Sequence, residues 1–490
     1  MSDVTPTLLT RAARAERGDA RQKPPVRLVH LGLGAFHRAH QAWYTARADD
    51  AAEWGIAAFT GHSTALAGAL EAQDGLYTLI VRGAETDRFE VVDSIVEAHT
   101  GGDLLTFIRL LASPAVAVLT LTITESAYHL RPDSRLNLAA EDVRHDINEL
   151  TRLFSVDFAK RSPNLVGNGP FRKVDGLGEV RTALGRVLVG LEARRRGGGS
   201  PIAIVPCDNI PGNGSVVRAA LEELAAAVAA AMAAGNAEPL RDWMRENVSF
   251  VSTSVDRITP RSAPADRADV TRATGWIDDA PVVTEPFTDW VLSGDFPAGR
   301  PAWHTAGARF VDDIEPWENR KLWMLNGAHT LLAAAGRLRG HATVAQAVLD
   351  PVCREAVEAL WNEDARHLTA TSSPDLDLDT YRAALLERFE NPRIEHHLEQ
   401  IGQNAATKLQ LRVLPVAERE RAAGHPAAAC ANAVGAWLAW SRHSGEIAES
   451  LSTVEAVTAL DAALGGDSSF LNLVDRSEAT WQSLSQKENP

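Results

Sequence analysis

Val26-Arg27-Leu28-Val29-His30-Leu31 runs directly into Gly32-Leu33-Gly34-Ala35-Phe36-His37-Arg38-Ala39-His40-Gln41. An apolar run of strand length, a Gly-x-Gly turn and a helix-forming stretch together make the dinucleotide-binding arrangement. Gly32 permits the tight turn and Gly34 lets the backbone approach a pyrophosphate. Ala35, Phe36 and His37 open the helix whose N-terminus would hold that pyrophosphate. The third glycine of the fingerprint is missing, because position 37 is His. On these residues alone a plain strand-turn-helix fits equally well.

The chain on either side extends an α/β reading. Trp54–Thr60 reads as a second strand, followed by Gly61-His62-Ser63-Thr64. An acid there would bond the ribose and select NAD, and an Arg would favour NADP; neither is present, so these residues leave the preference open, with NAD as the expectation and NADP not excluded. Gln73-Asp74-Gly75-Leu76 is turn chemistry leading into another strand. Val116–Ile123 is a buried parallel strand that ends at Thr124-Glu125-Ser126-Ala127-Tyr128, which places Glu125 where doubly wound sheets bind ligands. After a helix over about 178–195, Ile202–Val205 runs into Pro206-Cys207-Asp208-Asn209-Ile210-Pro211-Gly212-Asn213-Gly214. Unaided, that segment is a helix cap with turn residues. Asp256-Arg257 alone reads as a surface ion pair. The segment from about 137 to 173 reads as a polar surface excursion.

At 490 residues the chain is long enough for two domains. The expected division is a tail or surface helix over 1–26, a Rossmann-like domain over 27–284 and a mostly helical domain over 285–490. A net charge of -15 argues against nucleic acid as a partner. Cys207, Cys353 and Cys430 lack the spacing of a zinc site or a disulfide framework, so no metal is expected. The first 25 residues have no apolar signal region, and no run is long enough to span a membrane. The expectation is a cytoplasmic protein, monomeric or a small homo-oligomer, acting on a small molecule.

A second stretch carries the chemistry: Glu318-Asn319-Arg320-Lys321-Leu322-Trp323-Met324-Leu325-Asn326-Gly327-Ala328-His329. It reads as the first half of a long helix behind Pro316 and Trp317. At ~100° per residue, Glu318, Lys321, Asn326 and His329 fall within an arc of about 140°. The plain alternative is a half-exposed helix with solvated Lys and Glu, and with His and Asn bonded to backbone.

The spacing Lys321-x4-Asn326-x2-His329 resembles the signature of the mannitol dehydrogenase family, the polyol-specific long-chain dehydrogenases. Gly32-x-Gly34-x-Phe36-His37-Arg38-Ala39-His40-Gln41 is similar to that family's own fingerprint, which also lacks the third glycine. Cys207-Asp208-Asn209 with Asn213-Gly214, Val255-Asp256-Arg257-Ile258-Thr259-Pro260, and Gln400-Ile401 through Arg412 resemble further family motifs. Ser126-Ala127 and Asn404-Ala405 are departures from them. The resemblance implies a metal-independent, NAD(P)-dependent secondary-alcohol dehydrogenase with a Rossmann-like domain and a helical substrate domain. Lys321 would be the base, Asn209 and Asn326 would bind the reacting oxygen, His329 would orient substrate or Lys321, and Asp256 would contact substrate hydroxyls. Glu318 would stand within reach to relay a proton. Lys408 and Arg412 would pair with a carboxylate, as Arg does well. The neutral-polyol branch carries no basic residue at the second of these positions. That comparison points to the fructuronate reductase (D-mannonate oxidoreductase) branch, with a mannitol 2-dehydrogenase or other neutral polyol dehydrogenase as the alternative. A nucleotide-binding sensor without turnover would not require the Lys-Asn-His set.

Overall fold

The computed structural model describes residues 5–61, 63–155, 180–232, 238–370, 376–448 and 450–485. The chain divides into two compact units, Met1–Arg82 with Asp87–Ile314, and Gly83–Thr86 with Glu315–Pro490. In chain order the first unit carries β1 (Thr7–Leu8), β2 (Val26–Leu31), β3 (Gly55–Phe59), β4 (Tyr77–Arg82), β5 (Asp87–Val92), β6 (Ile95–His99) and β7 (Val118–Leu121). There follow β8 (Ile202–Pro206), β9 (Val248–Phe250), β10 (Ser252–Asp256), β11 (Trp276–Ile277), β12 (Val282–Thr284), β13 (Asp289–Ser293) and β14 (Arg309–Phe310).

Six of these form one sheet in the order β6-β3-β2-β7-β8-β9, every neighbour parallel. Counted along the chain, this is the doubly wound order 3-2-1-4-5-6, and it reverses between β2 and β7. The strands are apolar on both faces because helices cover both. Leu28, Ile56 and Ala58 join one buried cluster, while Val29, Leu31, Ala57 and Phe59 join the other, as a period of two requires. Arg194 on the helix Ala183–Arg196 is buried, and its donors satisfy the carbonyls of Leu111 (2.8 Å), Ser113 (2.9 Å), Val116 (2.9 Å), Ser200 (2.6 Å) and Pro201 (3.2 Å). That single side chain ties the loop before β7 to the loop before β8.

The leading segment, expected as a tail or surface helix, carries the helix Arg11–Glu16 and is anchored at its start: β1 pairs with β11, and Leu9 is buried with Leu76 and Trp276. The boundary expected at 284/285 lies instead at 314/315. β13 pairs with β10 and β14, so residues 285–314 complete a small sheet of the first unit rather than beginning the helical one. Part of the 137–173 excursion (156–173), like His62, lies outside the described residues. Its earlier half holds the helix Glu141–Ser155.

Every named element among the second unit's described residues is a helix, with one isolated bridge between Thr343 and His397. Its centre is the alanine-rich helix Ala428–His443, which lies against Ser468–Ser485 so closely that a Cβ on Gly435 would stand 2.6 Å from the Ser477 Cβ. The N-cap Ala427 has no side-chain acceptor, and the Glu363 carboxylate does that work from another helix, accepting from Ala429 N (3.0 Å) and Cys430 N (2.9 Å). No described helix is long and apolar enough to cross a membrane.

Candidate active site

The Gly-x-Gly loop sits at the carboxyl end of β2, beside the point where the strand order reverses. Gly32 has φ +115°, and a Cβ there would lie 2.1 Å from the Thr122 carbonyl oxygen. Only glycine fits. Gly34 caps the short helix Ala35–Ala39, and its missing Cβ would meet nothing nearer than Gly32 O at 3.6 Å, which leaves room for a ligand to approach the backbone. These features fit the nicotinamide dinucleotide that the fold implies. His37, in the place of the third glycine, stacks on His30 of β2 with ring centroids 3.3 Å apart. The helix-strand contact that a glycine makes by being small is made here by two flat rings.

The loop is braced from below. Thr122 Oγ1 donates to Gly32 O (2.8 Å) and is bonded by His30 Nε2 (3.0 Å), while His30 Nδ1 meets Thr120 Oγ1 (2.8 Å). Burial pushes the His30 imidazole down to about 3 and drives His37 well below its ordinary value, so both rings are neutral at working pH. Neither Thr122 nor His30 was singled out from the sequence. A threonine on alternate positions of a buried strand was the available signal.

Glu125 and Asn209 follow the carboxyl ends of β7 and β8, the strands next in order after β2. Both are exposed on turns. Ser126 and Ala127 lie in the short turn Glu125–Tyr128, closed by Ala127 N to Thr124 O at 2.9 Å. Tyr128 Oη donates to Asp208 Oδ2 (2.5 Å) and so joins the two turns. Asp256 ends β10 and is buried, as is Arg257. The expected surface ion pair is corrected: the Arg257 guanidinium, lowered to about 10 by burial, donates to Ala39 O (2.5 Å) and Glu285 O (3.3 Å). Cys207 is buried, with its thiol pushed up by desolvation.

In the helical unit the long helix is present, beginning at Glu315 and including Pro316, but its geometry differs from expectation. Lys321–Gly327 is a π-helical segment between the α-helical Glu315–Arg320 and Ala328–Leu338. With α geometry Lys321 and Asn326 are the two ends of the ~140° arc. A π-turn closes i→i+5 hydrogen bonds, and these two residues are five apart. The wider turn draws together the pair that α spacing would splay most. Glu318 and Lys321 are half-buried on this helix, as is Asn326.

Side chains from elsewhere occupy the carbonyls of that segment. Trp361 Nε1 donates to Met324 O (2.7 Å), an oxygen that also accepts from Ala328 N, whose bond is shared with Leu325 O. Asn326 O accepts from Thr330 Oγ1 (2.9 Å) and Arg412 Nη1 (3.4 Å), and the same nitrogen reaches Thr330 Oγ1 (3.1 Å). Arg412 thus contributes at least one donor to the turn itself. Lys408 Nζ donates to Ile401 O (2.7 Å). Asn404, which replaces the Asp of the family motif, takes φ +56°, a conformation Asn tolerates.

His329 is buried, and its Nε2 has no hydrogen-bond partner. Its ring lies 4.9 Å from that of Phe389 and 4.8 Å, edge-on, from that of His396. Burial drives its pKa well below the ordinary value, and His396, Arg388, Arg412 and Lys408 add to the effect. His396 is itself pushed down to about 4 by burial and by Arg388, His397 and Lys408. The lysine is lowered by burial and by Arg412. The helical unit therefore brings His329, Lys408 and Arg412 into one electropositive neighbourhood within a strongly acidic chain.

The mannitol dehydrogenase Rossmann-domain model matches residues 26–305, and the mannitol dehydrogenase C-terminal-domain model matches residues 313–488. The D-mannonate oxidoreductase of Escherichia coli (strain K12) is 32% identical over 441 residues, covering 88% of this chain and 83% of that protein. A mannitol 2-dehydrogenase of Pyrenophora tritici-repentis is 30% identical over 424 residues, covering 85% of this chain and 69% of that one. The Pseudomonas fluorescens mannitol 2-dehydrogenase, solved as a ternary complex with NAD and D-mannitol, superposes with a TM-score of 0.74 at 27% identity, over 99% of this chain and 96% of that one. The chain belongs to the mannitol dehydrogenase family and is an NAD-dependent oxidoreductase acting on secondary alcohols.

Proposed function

We propose that the protein interconverts a keto sugar acid and its alditol acid, with D-fructuronate and D-mannonate as the pair. The carrying observation is the set of cationic groups around His329, namely Arg388, Lys408 and Arg412, in a chain of net charge -15. A carboxylate is the substrate group that such a neighbourhood favours. The 32% identity to a D-mannonate oxidoreductase supports the same reading. The 30% identity to a mannitol 2-dehydrogenase favours the second reading, a neutral polyol such as D-mannitol or D-arabinitol.

NAD supplies or accepts the hydride when bound, held by the Gly32–Gly34 loop with Ala35, Phe36 and His37 behind it. In reduction the ketone oxygen takes the proton carried on Lys321 Nζ as its carbon gains hydride. In oxidation the neutral amine takes the hydroxyl proton instead. The Asn326 side-chain amide donates to that oxygen as charge develops on it. His329 offers Nε2 to a substrate hydroxyl. Asn209 as a second donor, Asp256 as a contact to hydroxyls and Glu125 near the cofactor are proposed on the likeness of their motifs. Lys408 and Arg412 provide positive charge for the carboxylate.

The test is a panel: fructuronate, tagaturonate and fructose with NADH, and mannonate, mannitol and arabinitol with NAD. The proposal expects the highest kcat/KM on fructuronate and mannonate. A preference for fructose and mannitol would establish the neutral-polyol reading in its place.

A further inference from the structure

The Lys321–Gly327 segment poses a physical question of its own. A π-turn is rare and less favourable than the α-turn it replaces, so something outside the segment must favour it. The turn's own sequence, Lys-Leu-Trp-Met-Leu-Asn-Gly, contains no proline and only a terminal glycine. The helix Pro351–Ala370 supplies the outside partner. Trp361 is almost wholly buried, and its indole N–H bonds to Met324 O at 2.7 Å, a carbonyl that is equally buried. Ala328 N, which opens the α-helix that follows, bonds to the same Met324 O as well as to Leu325 O. The indole therefore holds the exit of the π-turn and fixes where the extra residue is accommodated.

We propose that Trp361 is a positioning residue for the reaction: its N–H bond to Met324 O holds the π-turn that sets Lys321 and Asn326 on one face. In this role Trp361 acts through the backbone of the turn, at Met324 O, rather than on the reacting groups. An indole is suited to the task because it is a donor only, so it cannot exchange roles with the carbonyl, and its ring packs where a shorter donor would leave a void. Without that bond the segment relaxes toward α spacing, and Lys321 and Asn326 swing apart. The inference rests on the proposed roles of these two residues.

Two variants test it, Trp361→Phe and replacement of Trp361 by benzothienylalanine, which keeps the shape of the indole and lacks its N–H. The readouts are the NADH dissociation constant, kcat and KM separately, the pH profile of kcat, and the melting temperature. The expected result is a fall in kcat of about ten- to a hundredfold, the scale of a displacement near 1 Å at reacting groups. The kcat–pH profile shifts as the lysine moves, while KM and NADH affinity change little. A kcat within about twofold of the parent overturns the proposal, as does a lowered melting temperature with kcat and its pH profile unchanged. If Trp361→Phe does not fold, the benzothienylalanine protein decides. Lys321→Ala runs in parallel: retained turnover there removes the reading of the site itself, whereas an inactive Lys321→Ala beside a fully active Trp361 variant removes only this inference.

Discussion

The Gly32 loop and the Lys321 turn are both breaks in regular backbone, and they are held in opposite ways. At Gly32 the constraint is local and steric: a positive φ and a carbonyl 2.1 Å from where a Cβ would be admit one residue type. At Lys321–Gly327 no residue has a positive φ, and a Cβ on Gly327 would come no nearer than 3.5 Å, to Arg412 O. The holding groups are Trp361 and Arg412, 37 and 86 positions beyond the carbonyls they bond. An irregularity enforced by sterics leaves a glycine in the sequence. One selected by distant donors leaves only a tryptophan and an arginine in other helices, where they look like core and surface.

Four measurements would break or sharpen that contrast. The largest effect is expected from Lys321→Ala, with turnover down about two to four orders of magnitude, the span for loss of a general acid or base. NADH affinity should be unchanged, because the Gly32 loop, proposed to hold the dinucleotide, has its own supports. Gly32→Ala strikes the steric side. With a backbone carbonyl in the way, the loop must move, and the NADH dissociation constant should rise at least about tenfold with a lowered Tm. Wild-type affinity in that variant would show the loop to be as pliable as the helical turn.

Asp364→Asn probes the helix that carries Trp361. Burial, then Glu363, raise the Asp364 carboxyl well above the ordinary range, Arg382 opposes them and Glu420 adds the least, and neither of its oxygens has a partner. The folded chain keeps a proton that the unfolded chain releases above about 3.9. The cost to stability therefore grows as pH rises past that value, until the folded carboxyl ionises too. Asp364→Asn should melt above the parent at about pH 8, by about 2–4 °C for each kcal/mol in a unit of this size, and the gap should close toward about pH 4. Unchanged kcat in that variant would separate the helix's stability from its positioning role; equal melting curves at both pH values would contradict the buried-acid account. The smallest effect belongs to Thr122→Val, which removes one brace under Gly32. Of the two bonds it removes, the one to Gly32 O bears on the loop; a net hydrogen bond of about 0.5–1.5 kcal/mol corresponds to a two- to tenfold weaker NADH affinity, read by fluorescence titration.

The parts legible in the sequence are those with short-range causes. The reading of Val26–Leu31 as a strand agrees residue for residue with β2, and the apolar runs at Gly55–Phe59, Val118–Leu121 and Ile202–Pro206 stand in the parallel sheet. Each is buried on both faces, so a continuous apolar run was the right signal. The boundary was misread because Asp289–Ser293 pairs with Ser252–Asp256, and strand pairing across 30-odd residues leaves no local mark. The π-turn was invisible for the reason given above, although the Lys-x4-Asn spacing it spans was in plain view. Arg257 looked like a surface ion pair because a charged dipeptide says nothing about which carbonyls will surround it.

The three cysteines turn the two-unit build into a pair of clocks. Cys207 is buried in the strand unit, and Cys353 and Cys430 are buried in the helical one. Desolvation is the main force pushing each thiol up, to about 12 for Cys353, so the native chain offers an alkylating reagent almost no thiolate. Labelling must wait for an opening, and the peptide that gains mass names the unit that opened. Pulse alkylation read by mass spectrometry would therefore time the breathing of each unit separately, in one tube, without a probe being introduced.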